Sequence, residues 1–151
     1  MTQAHDLLPI AIAGASGRMG HMLIEAVRQS SECRLAGALD VPQSPGIGND
    51  ATGFLGQASG VTIESDVRKG LSHSQVLIDF TRPEGTMNHL KVCRELGTKL
   101  VIGTTGFTDA QKAEIVAASK DIAIVMAPNM SVGVNVTLKL LQLAAKAMPT
   151  G

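Results

Sequence analysis

The chain has few aromatic residues and no excess charge of either sign. Its 151 residues include three phenylalanines (Phe54, Phe80 and Phe107) and neither tryptophan nor tyrosine. Basic and acidic residues are balanced at 13 each. Proteins that bind nucleic acids need a basic surface, and those that bind single strands add aromatic side chains on which the bases stack. We therefore expect no nucleic-acid partner.

Cysteines and long apolar runs are also scarce. Cys33 and Cys93 are the two cysteines, and their positions match neither a metal-binding nor a redox motif, so we expect them in the core of a protein kept in the reducing cytoplasm. No apolar run approaches the roughly 20 residues that a membrane-spanning helix needs, and the polar residues 1–6 do not resemble an export signal. The sequence predicts a cytoplasmic protein without a membrane partner.

The histidines give no sign of a metal site. They are scattered along the chain, without an i, i+4 pair and without a partner carboxylate at ligand spacing. We interpret all four as structural or surface residues: His5, His21, His73 and His89.

What the chain does contain is a glycine-rich loop between a predicted strand and a predicted helix. The apolar run 8–13 is followed by the sequence GASGRMG at 14–20. Glycines allow a sharp turn and a close approach to a ligand, and the N–H groups at a helix start bind phosphate oxygens. Ser16 could offer its hydroxyl where many such loops have a second glycine. An ordinary glycine-rich turn is the alternative interpretation.

The segments after the loop support a dinucleotide site. Met19, Leu23, Ala26 and Val27 form one apolar stripe of a helix that we expect to end near residue 30. The apolar strand 35–39 follows and ends at Asp40, about twenty residues past the loop, where a ribose-binding carboxylate is expected. Taken alone, Asp40 would be interpreted as a turn residue.

The rest of the chain continues the alternation of strands and helices. Apolar runs predict a short strand at 61–63 and strands at 76–80, 100–102 and 122–126, of which 76–80 and 122–126 are expected to be buried. Residues 43–60 are rich in Gly, Ser, Pro and Asn and predict a surface excursion, to which we assign no chemistry. Capping boxes are predicted at two helix starts, one formed by Thr81 with Glu84 and the other by Thr108 with Gln111. Gly97 predicts the end of a helix. Continuous apolar strands joined by helices indicate an α/β fold: a Rossmann-type, doubly wound parallel sheet.

Four sequence stretches together resemble one family. GASGRMG, DFTRPEGTMNHL, VIGTTGF and APNMSVGVN, in this order, resemble dihydrodipicolinate reductase (4-hydroxy-tetrahydrodipicolinate reductase), a nicotinamide-dependent enzyme of bacterial lysine and diaminopimelate synthesis. The resemblance implies hydride transfer to dihydrodipicolinate or its hydroxylated precursor, a small-molecule substrate. The cofactor-binding residues that it implies are Gly14, Ala15, Ser16, Gly17, Arg18, Met19, Asp40, Phe80, Thr81, Arg82, Gly103, Thr104, Thr105, Ala127, Pro128, Asn129 and Met130.

Plain structural roles stay open for several of these residues. Gly103 could serve only as a turn glycine, Arg82 could be a solvated arginine, and Met130 could fill a gap in the core. We expect NADH to be preferred, with NADPH possible. Asp40 would repel a 2′-phosphate and Val41 supplies no cation, although Arg18 could partly compensate.

The resemblance also indicates what is missing. The family's H-H-x-x-K motif and the following S-G-T turn do not occur, so we expect no catalytic residue within 1–151. Residues 1–130 would be the dinucleotide-binding domain, and 131–151 the hinge and first helix of a truncated substrate domain. That helix has an apolar stripe at Val136, Leu140, Leu143, Ala144 and Ala147. The full-length family is expected to be a homotetramer assembled through the missing domain.

Two other functions are compatible with the sequence. One is a non-catalytic module that binds NAD(H) and reports redox state to a partner. The other is a different Rossmann dehydrogenase of amino-acid biosynthesis, such as a semialdehyde or homoserine enzyme. DFTRPEGT and VIGTTGF do not fit the patterns of those enzymes.

Overall fold

A computed structural model describes residues 7–148, and they form one parallel sheet flanked by helices. The strands are β1 Leu8–Ala13, β2 Cys33–Leu39, β3 Ile63–Glu64, β4 Val76–Asp79, β5 Lys99–Ile102 and β6 Ile124–Met126. The helices are α1 Arg18–Gln29, α2 Val67–Leu71, α3 Pro83–Leu96, α4 Asp109–Ala118 and α5 Val132–Ala147. The short α2 was not predicted from the sequence.

The strand order confirms the doubly wound Rossmann-type sheet. It reads β3-β2-β1-β4-β5-β6, with parallel pairing throughout. The chain therefore builds outwards from β1 in one direction and from β4 in the other. In sheets of this kind, ligands bind beyond the carboxyl ends of the strands where the direction changes.

Alternate residues of β1 serve two separate cores. Ile10 and Ile12 pack with Ile24 of α1 on one face of the sheet. Ala11 and Ala13 belong to the core on the other face, which includes Leu90 of α3. Because both faces are covered, the strands are apolar on both sides, as the continuous apolar runs predicted.

The apolar stripe predicted for α1 is displaced by one residue. The buried positions are Gly20, Ile24 and Val27, while Met19 and Ala26 are exposed. The prediction is confirmed for Val27 and for the partly buried Leu23, and it was wrong for Met19 and Ala26. The reason is that Gly20 packs directly on the glycine loop: a Cβ there would lie 2.1 Å from the carbonyl oxygen of Gly14. This close approach fixes which side of the helix faces the sheet.

The last strand is not buried as predicted. β6 forms the edge of the sheet, and the exposed fractions of Val125 and Met126 are 59% and 40%. The helix after it, α5, has no buried residue, so its predicted apolar stripe is exposed. A continuous apolar run does not distinguish a central strand from an edge strand, and this is why the sequence was misleading here.

The excursion 43–60 is more ordered than a plain surface loop. Ala51 and Thr52 are buried, and residues Gly53–Leu55 form a short 3-10 helix. The Asp50 carboxylate accepts hydrogen bonds from Thr52, Ser59 and Gly60. The excursion therefore folds around one carboxylate and adds Ala51 to the core beside α1.

The prediction that the cysteines lie in the core is confirmed for Cys93, whereas Cys33 is only half-buried; both are free thiols. Cys93 is buried in the α3 core, and burial raises the pKa of its thiol to about 12. The thiol is thus protonated and unreactive at neutral pH. Cys33 is half-buried in β2.

Candidate functional site

A cleft of about 850 Å³ opens at the carboxyl edge of the sheet, above the boundary between β1 and β4. Its walls come from the glycine loop and the start of α1, the residues after β2, the start of α2, and the segment from β4 into α3. Helices α1 and α3 pack on opposite faces of the sheet. The cleft therefore lies at the position expected for a ligand in a doubly wound fold.

The glycine loop presents unpaired N–H groups to this cleft. Gly14 adopts φ +70°, a conformation that favours glycine, and turns the chain from β1 towards α1. The cap residue Gly17 offers no side chain to α1. The first N–H groups of a helix lack partners within it, and those of α1 belong to Arg18, Met19 and Gly20, which line the cleft. With no acidic residue in this turn, the site suits an anion.

Two of the predicted loop residues, Ala15 and Ser16, lie outside the lining of the cleft. Ala15 is fully buried, and its N–H donates to the Leu39 carbonyl at 2.9 Å. The Ser16 hydroxyl accepts a hydrogen bond from Ser44 at 3.0 Å and does not line the cleft. Neither side chain is therefore placed to touch a ligand in the cleft.

Asp40 is held at the cleft wall by the loop itself. Its Oδ2 accepts from the Ser16 backbone N–H at 2.9 Å and from the Ser44 hydroxyl at 3.2 Å, and its Oδ1 accepts from the Val41 N–H at 2.8 Å. Burial raises the pKa of this carboxyl group, but hydrogen bonds from Ser16 and its neighbours outweigh burial and hold the pKa below its ordinary value. Asp40 is therefore a half-exposed carboxylate in a fixed position.

A second aspartate, at the end of β4, was missed by the sequence analysis. Asp79 is fully buried, and its Oδ2 lies 2.7 Å from Nδ1 of His89. Its Oδ1 accepts from the N–H of Thr81 at 2.9 Å and from the Thr81 hydroxyl at 2.6 Å. Burial raises the pKa of Asp79, but contacts with His89 and Thr81 outweigh it and hold the pKa below its ordinary value.

This network corrects two sequence-based interpretations. His89 has a partner carboxylate after all, and its ring lines the cleft. Thr81 does not cap α3, because its hydroxyl is bound to Asp79; the cap residue is Arg82, with Pro83 in the first turn. The sequence contained two signals: an acidic residue ending a buried strand, and the stretch DFTRPEGTMNHL, which includes both Asp79 and His89. Spacing alone did not connect the acid to a histidine about two turns into the next helix.

The predicted loop after β5 lies next to this network and outside the lining of the cleft. The buried hydroxyl of Thr104 contacts Thr86 at 3.0 Å and Asp79 at 3.4 Å. Gly103 lies against the Phe80 ring, where a Cβ would approach ring carbon atoms to 2.0 Å. Thr105 is exposed.

The predicted residues after β6 lie further along the same edge. Ala127 is half-buried, whereas Pro128, Asn129 and Met130 are exposed. Asn129 accepts from the Ser131 N–H at 2.8 Å and thereby shapes the start of α5. The structure thus brings together in one cleft Gly14, Gly17, Arg18, Met19, Asp40, Phe80, Thr81 and Arg82.

Residues 7–148 contain neither a metal cluster nor a membrane-spanning helix. No group of three or more His, Cys, Asp and Glu side chains there is arranged to hold a metal ion. None of the helices in this part of the chain has both the length and the apolar character needed to cross a bilayer.

Comparisons with known proteins agree with this architecture. The family model described as "Dihydrodipicolinate reductase, N-terminus" matches residues 8–130. The 4-hydroxy-tetrahydrodipicolinate reductases of Herminiimonas arsenicoxydans and Janthinobacterium sp. (strain Marseille) are 60% and 59% identical over 144 residues, 95% of this chain and 54% of each relative. The chain thus spans about half the length of these curated relatives.

A solved structure supports the fold independently. The dipicolinate-bound dihydrodipicolinate reductase from Paenisporosarcina sp. TG-14 superposes with a TM-score of 0.76 at 24% identity, covering 95% of this chain and 56% of that one. Together with the family match over residues 8–130, the comparisons identify the chain as a member of the dihydrodipicolinate reductase family, matching its N-terminal part.

Proposed function

We propose that this chain is the nicotinamide-dinucleotide-binding part of a 4-hydroxy-tetrahydrodipicolinate reductase of lysine and diaminopimelate synthesis. The observation that carries the proposal is the pairing of two ligand-binding features in one cleft. The unpaired N–H groups at the start of α1 suit a diphosphate, and Asp40, fixed by the N–H of Ser16, suits a ribose diol.

The residues present fit a dinucleotide in size and in chemistry. The cleft of about 850 Å³ is within the range of cofactor pockets. Arg18 and Arg82 line it and add positive charge beside the helix start. In our proposal the diphosphate lies on Gly14, Gly17, Arg18 and Met19, with Ala15 and Ser16 shaping the loop from behind.

The nicotinamide end would lie towards β5 and β6. Phe80, Thr81 and Arg82 form the wall next to the loop, and 103–105 and 127–130 follow along the same edge. When bound, the cofactor supplies the hydride, and the protein supplies position and electrostatics. Within this chain the residues orient the cofactor, and we assign no catalytic acid to them.

The substrate would be held by a further domain. We propose that residues 1–130 form the dinucleotide-binding domain, and that 131–151 are the hinge and first helix of the substrate domain. The exposed apolar side chains of α5 support this assignment, since such a surface is usually covered by other protein. Assembly of the whole enzyme as a cytoplasmic homotetramer belongs to the same proposal.

The geometry favours NADH over NADPH. Asp40 is ionised at neutral pH and would repel a 2′-phosphate placed at the same ribose. The next residue, Val41, is 60% exposed at the cleft wall and carries no charge. Arg18 in the same cleft reduces the discrimination, so we propose a preference for NADH without exclusion of NADPH.

The test is titration calorimetry of this 151-residue chain with NADH, together with an assay of substrate-dependent NADH oxidation. We expect binding without turnover. Gly17→Val should abolish binding, because its methyl groups would fill the space of the diphosphate. Gly53→Val is the matched control, since a Cβ at Gly53 has no atom within 4 Å.

Three results would contradict the proposal. If folded wild-type protein did not bind NADH, the cleft would not be a dinucleotide site. If a folded Gly17→Val protein kept full affinity for NADH, the glycine loop would be only a turn and would not bind the diphosphate. Turnover by a sample shown by mass to end at Gly151 would place catalytic residues within this chain. Sustained turnover by a polypeptide that includes the H-H-x-x-K motif would exclude a purely redox-sensing module.

A further inference from the structure

The contact between Asp79 and His89 leaves one ring nitrogen of the histidine unused. Nδ1 lies 2.7 Å from the Asp79 carboxylate, and the side chain of His89 is 12% exposed. In the part of the chain that the structure describes, Nε2 makes no hydrogen bond. The ring itself is part of the cleft wall. A polar atom in such a position is available to a ligand.

Asp79 determines the chemical character of that atom. An ionised carboxylate only accepts hydrogen bonds, so the Nδ1 atom of His89 has to carry a proton. In the neutral ring the proton on Nδ1 leaves Nε2 as an acceptor. The carboxylate is itself fixed by two hydrogen bonds from Thr81, so that both the orientation of the ring and its tautomer are determined.

The sheet order indicates which part of a dinucleotide would reach His89. Asp40 follows β2, the glycine loop follows β1, and His89 lies on the helix after β4. Because the strands are adjacent in the order β2-β1-β4, these three groups follow one another along the edge of the sheet. A dinucleotide with its adenosine ribose at Asp40 and its diphosphate on the loop extends its second ribose towards His89.

Gly85 leaves room for this contact. A Cβ at Gly85 would lie 3.1 Å from the Thr81 hydroxyl and 3.9 Å from Cε1 of His89, the ring carbon bonded to both Nδ1 and Nε2. Gly85 also lines the cleft. A side chain at this position would be in van der Waals contact with the ring, so the glycine leaves the space of the cleft beside the imidazole open.

We propose that His89 is a cofactor-binding residue whose Nε2 accepts a hydrogen bond from a hydroxyl group of the second, nicotinamide-side ribose, and that Asp79 positions it. This inference rests on the proposed function, because it presupposes a dinucleotide in the cleft. It assigns a ligand contact to a histidine that lies in the stretch DFTRPEGTMNHL and was predicted to be a structural or surface residue.

The test uses three ligands of increasing length and two variants of His89. AMP contains only the adenosine ribose, ADP-ribose adds the diphosphate and the second ribose, and NADH adds the nicotinamide. His89→Asn keeps an N–H near the position of Nδ1 for Asp79 and removes Nε2. His89→Gln places an amide near the position of Nε2 and removes the partner of Asp79. His73→Asn, at an exposed histidine outside the cleft, is the matched control.

We expect His89→Asn to lower the affinities for ADP-ribose and NADH about tenfold, which corresponds to the loss of one good hydrogen bond. The affinity for AMP should be unchanged. His89→Gln should retain more of the ADP-ribose affinity but unfold at lower urea concentration, because Asp79 loses its partner. The control should bind all three ligands like wild type. Unchanged ADP-ribose affinity in His89→Asn, or an equal loss for AMP and ADP-ribose, would overturn the inference.

Nitrogen-15 NMR of the imidazole ring tests the positioning role of Asp79. In the neutral form of the ring, Nδ1 should show the shift of a protonated nitrogen and Nε2 that of an unprotonated one, and ADP-ribose should move the Nε2 signal. Asp79→Asn should exchange the two signals, because its amide donates to Nδ1. An unprotonated Nδ1 in the neutral ring of the wild type, or an Nε2 signal that ADP-ribose leaves in place, would overturn the inference. If wild-type protein binds neither NADH nor ADP-ribose, the proposed function fails instead.

Discussion

Asp40 and Asp79 occupy equivalent positions in the fold but differ in their surroundings. Each lies at the carboxyl end of a parallel strand next to β1: Asp40 follows β2 on one side, and Asp79 ends β4 on the other. Asp40 is half-exposed and bound to the glycine loop, whereas Asp79 is fully buried and bound to His89 and Thr81. The same residue type at the same edge is thus suited to a ligand in one case and to internal organisation in the other.

The partners explain this difference. The contacts to Asp40 come from the loop, from Val41 and from Ser44, and they leave the carboxylate at the cleft wall. The contacts to Asp79 come from the β4–α3 segment, from α3 and from Thr104 after β5. Because Asp79 connects three segments of the chain, it organises the half of the cleft that lies beyond the loop. The role of a carboxylate at the end of a strand is therefore indicated by the groups that donate hydrogen bonds to its oxygens.

The largest expected effect separates the two aspartates by stability. Asp79→Ala leaves His89 and Thr81 without their acceptor in a buried site, so the free energy of unfolding should fall by about 3 kcal/mol. Asp40→Ala should cost about 1 kcal/mol, since water can replace a half-exposed acceptor. Urea unfolding followed by circular dichroism measures both. If both variants lost the same free energy of unfolding, the difference in surroundings between Asp40 and Asp79 would have no effect on stability.

The acid limb of the stability curve sharpens the same comparison. Both carboxyl groups have a folded-state pKa below the ordinary value, so their stabilisation is complete above the unfolded-state pKa near 4 and is lost as the pH falls through the folded-state values. Water screens Asp40 more than Asp79. Asp79→Asn should therefore flatten the pH dependence of the unfolding free energy below about pH 4 more than Asp40→Asn does. The reverse order in urea titrations between pH 2 and pH 5 would contradict this assignment.

The comparison also explains which part of the site could be predicted from the sequence. The position of Asp40 at the cleft wall could be predicted because it depends on a local pattern: strand, loop, helix, strand and acid. The Asp79–His89 contact depends on how α3 packs on β4, and no spacing rule indicates that. The cap of α3 was wrongly predicted at Thr81 for the same reason, since Thr81 matches a capping box but its hydroxyl donates to Asp79.

The fold was predictable to a similar degree. The strand and helix order follows from apolar periodicity, and the capping box at Thr108 and Gln111 is confirmed. The displaced stripe of α1 and the exposure of β6 were missed, because each is decided by contacts distant in sequence. Periodicity determines the type of an element, whereas burial is determined by its neighbours in the sheet.

The smallest expected effect concerns the residue next to Asp40. Val41 is exposed at the cleft wall, so Val41→Arg would place a cation beside the ribose that Asp40 is proposed to bind. An exposed ion pair with a 2′-phosphate should raise the affinity for NADPH relative to NADH about fivefold, while Asp40 continues to repel the phosphate. Titration calorimetry at two salt concentrations measures the ratio, and the gain should shrink at the higher one. Val41→Gln, which has a polar side chain without charge, and Val116→Arg, an exposed site on α4 outside the cleft, are the controls. The same gain in either control would mean that the charge acts through the whole protein and not at the ribose, and Asp40 would then lose its assigned part in cofactor preference.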